Sequence, residues 1–162
     1  MGLLDRLRGR TGSPTSPSTS VKAVAVHASD LVEVVGESDR QDALRRITST
    51  GSSSFLADLS GYARKVAERD PNGRWFRAVL FREPHNEYDE NAIAVHADGV
   101  GQVGYLSRDD AISYRGVFEA LATHGISVAS CPAFLIGGEA GKPSYGVILC
   151  LSSPERIVRD LG

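Results

Sequence analysis

Sulfur is scarce in this chain: two cysteines and one methionine stand among 162 residues. Cys131 and Cys150 show no C-x-x-C spacing, so neither a thiolate zinc site nor a redox dithiol is written into the sequence. They read as two buried thiols in a reducing cytoplasm, with a single disulfide as the other arrangement open to two cysteines. No run reaches the ~18 apolar residues of a membrane-spanning helix, and MGLLDRLRGR lacks the apolar centre of a secretion signal. Arg6 occupies the place where a myristoylation pattern needs Ser or Thr. The expected protein is therefore cytoplasmic, with no membrane partner. An excess of charge is also missing: 18 Lys and Arg face 20 Asp and Glu, for a net charge of -2. This excludes a nucleic-acid protein that works by bulk positive charge and leaves only a local basic patch.

Catalytic and metal motifs are absent as well. There is no G-x-S-x-G, no Cys–His pair in a familiar context and no placed pair of acids, so the chain does not read as an enzyme. His85 and His96 with Glu83, Glu87 and Asp89 follow neither the calcium-loop order nor a helical H-x-x-x-H; they read as solvated side chains, and no metal or cofactor is expected. Gly137 to Lys142 gives only G-x-x-x-G-K, with Pro143 where a phosphate loop needs Ser or Thr, and it leads into a strand rather than a helix. That segment, GGEAGKP, reads as a flexible hairpin loop.

What is present is a core. Hydrophobic residues make up 41% of the chain, enough for one domain. Met1 to Arg10 is a short helix candidate with Leu3, Leu4 and Leu7 on one side. Thr11 to Ser20, TGSPTSPSTS, is a Ser/Thr/Pro linker, and the folded unit is expected from about Val21 to residue 162. Leu31 to Gly36 reads as a strand. Ser38 with Gln41 forms a capping-box pattern opening a helix whose Ala43, Leu44 and Ile47 face inward. Phe55, Leu59, Tyr62 and Val66 recur at helical spacing, and Asp70-Pro71-Asn72-Gly73 is a turn. Strands follow at Arg74–Arg82, Asn91–Ala97 and Gln102–Leu106, the last two joined by Asp98-Gly99. Ser107 caps a helix with Ala111, Tyr114, Phe118 and Leu121 on its buried side, and Gly125 ends it. Ser127–Ile136 and Ser144–Leu151 close the unit as strands. The fold class is α+β: a small, mostly antiparallel, OB-like barrel of about six strands with two or three helices. Trp75, Tyr105 and Tyr114 read as core.

The stretch Phe81 to Arg108, FREPHNEYDENAIAVHADGVGQVGYLSR, carries the most functional information. Tyr88 and Asp89 sit side by side in a polar loop held between strands, a natural place for recognition. Two readings stand for the pair. Tyr can cover a core edge while Asp bonds nearby backbone, or the ring and the carboxylate can meet a ligand. Asn86 and Asn91 read as turn residues that satisfy backbone.

The order VVGE, FREPHNEYDENAIAV, GQVGYLSRDDA and KPSYGVIL resembles the HIRAN domain family, found at the N-terminus of helicase-like transcription factor ATPases and in small stand-alone bacterial proteins. The resemblance covers Leu31–Gly36 and Trp75 to about Leu151, leaving Thr48 to Gly73 as a helical insertion. It implies an OB-like barrel that binds single-stranded DNA and grips a free 3′ end, in a repair or replication-restart setting. By position, Tyr88 would stack on a base and Asp89 would accept from the terminal 3′-hydroxyl. Arg108 would hold phosphate, Tyr145 would supply a second ring, and Lys142 could touch the ligand. The ATP hydrolysis of large members belongs to helicase domains whose motifs this sequence lacks. One departure is clear: Glu37-Ser38-Asp39-Arg40 stands where DNA-binding members carry a basic residue and aromatics. With Glu83, Glu87 and Glu90 around Tyr88, this departure favours the alternative of a protein–protein interaction module that keeps the barrel without the DNA grip. The sequence sets no oligomeric state.

Overall fold

The structure is a computed structural model that describes residues 23–162. The helix expected over Met1–Arg10, the linker over Thr11–Ser20 and the domain start near Val21 lie outside those residues. Seven strands form one sheet: β1 (Ala23–Ala25), β2 (Asp30–Val35), β3 (Trp75–Arg82), β4 (Ile93–Ala97), β5 (Gly101–Leu106), β6 (Val128–Glu139) and β7 (Lys142–Leu151). Their order is β1-β6-β3-β4-β5-β2-β7, and β7 returns to β6. Strands β2 to β7 therefore close into a six-stranded antiparallel barrel, while β1 lies parallel to β6 outside it. The expected α+β barrel is what forms, with more helix than foreseen. The helices are α1 (Gln41–Arg45), α2 (Gly61–Glu68), α3 (Arg108–Thr123) and α4 (Pro154–Asp160), with 3-10 segments at Glu37–Arg40 and Ser52–Asp58.

Strand alternation sorts the side chains. Phe76, Ala78 and Leu80 of β3 point into the barrel with Ile93, Val95, Val103, Ala129, Cys131, Val147 and Leu149. Helix α3 adds Ala111, Tyr114, Val117, Phe118 and Leu121 to this cluster, and α4 adds Ile157. Ser107 caps α3 as its sequence implied, accepting from Asp110 N at 3.1 Å. Tyr114 is buried and its hydroxyl donates to Ser152 O at 2.8 Å, a partner that a buried phenol needs.

The outward positions of β3, β6 and β7 build a second cluster. Trp75, Phe134, Ile148 and Cys150 pack there under Phe55, Leu59, Ala63 and Ala67. Trp75 is wholly buried, its ring centroid 4.7 Å from that of Phe134 and 6.2 Å from that of Phe55. Trp75 is thus core, but core of the outer cluster, and the segment between β2 and β3 exists in the fold as its lid. Tyr62 departs from its expected role: the helical spacing breaks at Ser60, where one helix was anticipated, and Tyr62 is 59% exposed.

Two further expectations change, and the reading of the cysteines as buried thiols stands. The Ser38–Gln41 capping box does not form. Gln41 instead reaches across to β7: its Nε2 donates to Tyr145 O at 2.9 Å and its Oε1 accepts from Tyr145 N at 2.8 Å. A side-chain amide mimics a neighbouring strand's peptide here. The GGEAGKP loop is not a loop: β6 runs to Glu139 and β7 starts at Lys142, with a bulge between Gly137 and Glu139. The glycines bend a continuous ladder. Cys131 and Cys150 are buried free thiols. Burial pushes both pKa values up, that of Cys150 to about 12.

Trp75→Ala should destabilise the fold by about 3–5 kcal/mol, because it empties the outer cluster. Tyr62→Ala should change stability by no more than ~0.5 kcal/mol. Urea unfolding followed by far-ultraviolet circular dichroism measures both, and equal effects would contradict this division of the core.

Candidate nucleic-acid interface

The loop between β3 and β4 is organised by one side chain. Asn86 Oδ1 accepts from the backbone N–H groups of Tyr88 at 2.9 Å and Asp89 at 3.1 Å. Its Nδ2 donates to Glu83 Oε1 at 3.0 Å. Asp89 repeats the motif, Oδ1 accepting from Asn91 N at 2.9 Å. Such Asx turns hold a short loop in one shape without a regular ladder. The consequence is that Tyr88 stands 81% exposed. A ring this exposed covers no core edge, which removes the purely structural reading for Tyr88. Asp89 keeps that reading in part, since Oδ1 is occupied by backbone.

Two arginines of α3 flank the loop. Arg108 Nη2 donates to Tyr88 O at 3.4 Å, and Arg115 Nη1 donates to Asn91 Oδ1 at 3.2 Å. They lie seven residues apart, two turns along one face of the helix, with Ile112 between them at 60% exposure. Arg115 is also paired with Glu119 at 2.9 Å. The sequence left open which basic residues share a face with Tyr88. In the fold, Arg108 and Arg115 do.

Tyr145 and Lys142 are placed elsewhere. Strand pairing puts the β3–β4 loop at the barrel end where β3 finishes, and the β6–β7 hairpin at the end where β3 begins. Tyr145 and Lys142 line a groove of about 450 Å³ with Glu33, Val35, Gly36, Glu37 and Gln41. Arg74 lies over the Tyr145 ring, 5.2 Å from its centroid, and Gly138 passes so close beneath that ring that a Cβ there would collide with it. Tyr145 is therefore a half-buried ring with one cationic neighbour.

A band of residues links the two patches. Tyr105 is paired with Ala94 on one side and with Val35 on the other. Tyr105 is half-buried on the outside of the barrel, not in its core, and its hydroxyl donates to Glu83 Oε1 at 2.9 Å. Glu83 thus receives both Asn86 and Tyr105 and anchors the base of the Tyr88 loop. Gly104 backs onto Val35 O closely enough to exclude any side chain, so β5 and β2 lie flush. Sequence reasoning missed this role of Glu83 and Tyr105, because the bond joins positions 22 residues apart. His96 lies on the same sheet, its ring centroid 4.7 Å from that of Phe81. Burial lowers its pKa, with Glu83 opposing and Arg40 reinforcing the shift.

An antiparallel six-stranded barrel, capped by a helix that also flanks an exposed aromatic loop, defines a small OB-like domain. Residues 73–129, which run from the turn before β3 into β6, match the family model of the HIRAN domain. No curated protein matches. Among solved structures, a protein from Lactobacillus plantarum is 21% identical, with 76% of this chain and 89% of that one covered and a TM-score of 0.43. The HLTF HIRAN domain, solved in its DNA-bound conformation, is 16% identical over 90% of this chain and 93% of that one, at a TM-score of 0.34.

Asn86→Ala should release the Tyr88–Asp89 backbone. Deuterium exchange at those two amides should rise sharply while exchange in β3 and β4 stays unchanged. Exchange unaltered at Tyr88 and Asp89 would show that another group holds the loop.

Proposed function

We propose that this protein is a binding module for single-stranded DNA with a free 3′ end, acting in repair or replication restart in the cytoplasm. It performs no catalysis of its own. The observation that carries the reading is the exposed Tyr88 ring, held beside the Asp89 carboxylate on an Asx-stabilised loop and flanked by two arginines. The match of residues 73–129 to the HIRAN domain model supports the nucleic-acid part. An exposed ring stacks on any base, worth about 1–3 kcal/mol per base. Asp89 Oδ1 is engaged by Asn91 N; its other oxygen would accept from a 3′-hydroxyl, and its charge would repel a 3′-phosphate. Arg108 and Arg115 would hold the backbone phosphates that follow. Tyr145 and Lys142 lie at the far end of the Tyr105–Val35 band and would meet a longer strand. In this reading the folded unit starts near Val21, and residues 48–73 are an addition to the family barrel.

The second reading is a protein-interaction module. Its specific support is the acidity of both patches: Glu83, Glu87, Asp89 and Glu90 surround the loop, and Glu33 and Glu37 line the Tyr145 groove.

Fluorescence anisotropy with a short single strand ending in 3′-hydroxyl or 3′-phosphate tests both. The wild type should bind the hydroxyl end more tightly, with affinity falling steeply as salt rises. Tyr88→Ala should weaken binding by about 1–3 kcal/mol without loss of fold. Arg108→Ala should flatten the slope of log affinity against log salt by about 0.7–1. Asp89→Asn keeps the Oδ1 acceptor for Asn91 N and removes the charge, so discrimination between the two ends should shrink. An unchanged end ratio in Asp89→Asn would refute end reading, and no binding of either strand by the wild type would leave the protein-interaction reading.

A further inference from the structure

A groove of about 890 Å³ lies on the outer face of β1, β6, β3 and β4 and shares no residue with the Tyr88 loop or the Tyr145 groove. Strand register builds its floor. Val128 and Phe81 stand in one row, and Ala25, Ser130, Val79 and His96 in the next. The neighbouring outer face is roofed by Ser52–Asp58 and α2 over Trp75, Phe134 and Ile148. Among the described residues, no helix roofs this one. Phe81 and His96 give the floor an aromatic surface: both are half-buried, with ring centroids 4.7 Å apart. Burial lowers the His96 pKa, with Glu83 opposing and Arg40 reinforcing the shift, so the imidazole is neutral at neutral pH. A neutral imidazole offers one donor and one acceptor, and the floor adds the Ser130 hydroxyl.

The charges of the groove are ordered along it. At one end Arg77 is committed: it pairs with Asp58 at 2.9 Å and lies 5.6 Å from the centroid of Phe55. Asp98 stands at the same end, its N–H bonded to Arg77 O. Arg82 and Ser127 close the other end. Arg82 has no ion pair among the described residues, and its Nε–H is buried without a hydrogen-bond partner there. A buried donor left open is costly, and an anionic oxygen is the strongest acceptor a guanidinium can meet. Negative charge on a ligand is therefore drawn to Arg82 and turned away from Asp98. We infer that the groove binds a small molecule in which a flat aromatic ring carries an anionic group, a ligand of mononucleotide type. The ring lies on Phe81 and His96, its polar edge meets Ser130 and the His96 nitrogens, and the anion sits at Arg82 and Ser127. The volume falls in the range of small-molecule sites, about 300–1,000 Å³. This site stands independently of strand binding at Tyr88.

The probe is adenosine 5′-monophosphate, titrated into the isotope-labelled full chain, with adenosine and ribose 5-phosphate as its two halves. Amide signals of Val79, Phe81, His96 and Ser130 should shift, and those of Tyr88 and Tyr145 should stay in place. Each half should bind at least about tenfold more weakly than the whole. Arg82→Gln should bring the monophosphate down to the affinity of adenosine and leave adenosine unchanged, whereas His96→Ala should weaken both by about tenfold. If Arg82→Gln does not fold, the comparison of the whole with its halves on the wild type decides alone. No shift at the four groove residues, shifts confined to the Tyr88 loop, or equal binding of monophosphate and adenosine would overturn the inference. So would the same four shifts produced by a single DNA strand at lower concentration than by the monophosphate, which would assign the groove to the strand.

Discussion

The barrel closes on β6. This strand gives Val128–Phe134 to β3 and Ala133–Glu139 to β7, so one continuous strand pairs on both sides and closes the ring. Closure removes sheet edges that would otherwise need covering. It also fixes which ends of the barrel carry which loops. With β6 running from one end to the other, the β3–β4 loop must emerge beside the start of β6, and the β6–β7 hairpin at its finish. The register shifts between Gly137 and Glu139 beside the hairpin, where Gly137 takes a positive φ that glycine adopts at little steric cost.

That closure produces two separate aromatic patches rather than one. The Tyr88 loop is stiffened locally, by Asn86 and Asp89, and connected to the barrel through Glu83 and Tyr105. The Tyr145 patch is stiffened from a distance, by Gln41 bonding both backbone groups of Tyr145. In each case a half-buried amide side chain saturates backbone that strand pairing leaves open. The aromatic rings are presented differently as a result: Tyr88 projects into solvent, whereas Tyr145 lies between Arg74 and Gly138.

Much of this was legible. The apolar strand run in RWFRAVLFR, the Asp98-Gly99 turn and the Ser107 cap are local signals, and each corresponds to its element within one or two residues. The REPHNEYDENAIAV stretch singled out Tyr88 and Asp89 by resemblance. Other features were not legible. The Ser38–Gln41 pattern satisfies a local rule, yet Gln41 bonds a strand 104 residues away. Ala23–Ala25 is too short for a periodicity to register, and it is a strand only because β6 offers a free edge at Val128–Ser130. Helix α4 does carry a local signal, Ser153 before Pro154, outside the segments assigned from the sequence.

The sequence by itself determined most of the elements and the chemistry of the exposed loop, because these depend on neighbours a few residues apart. Only the tertiary structure decided which groups meet. Arg108 and Arg115 were placed beside Tyr88, and Tyr145 and Lys142 at the other end of the barrel. The physical reason is that a barrel's register and closure assign positions in space through hydrogen bonds between residues far apart in the chain, and no local pattern records those pairings.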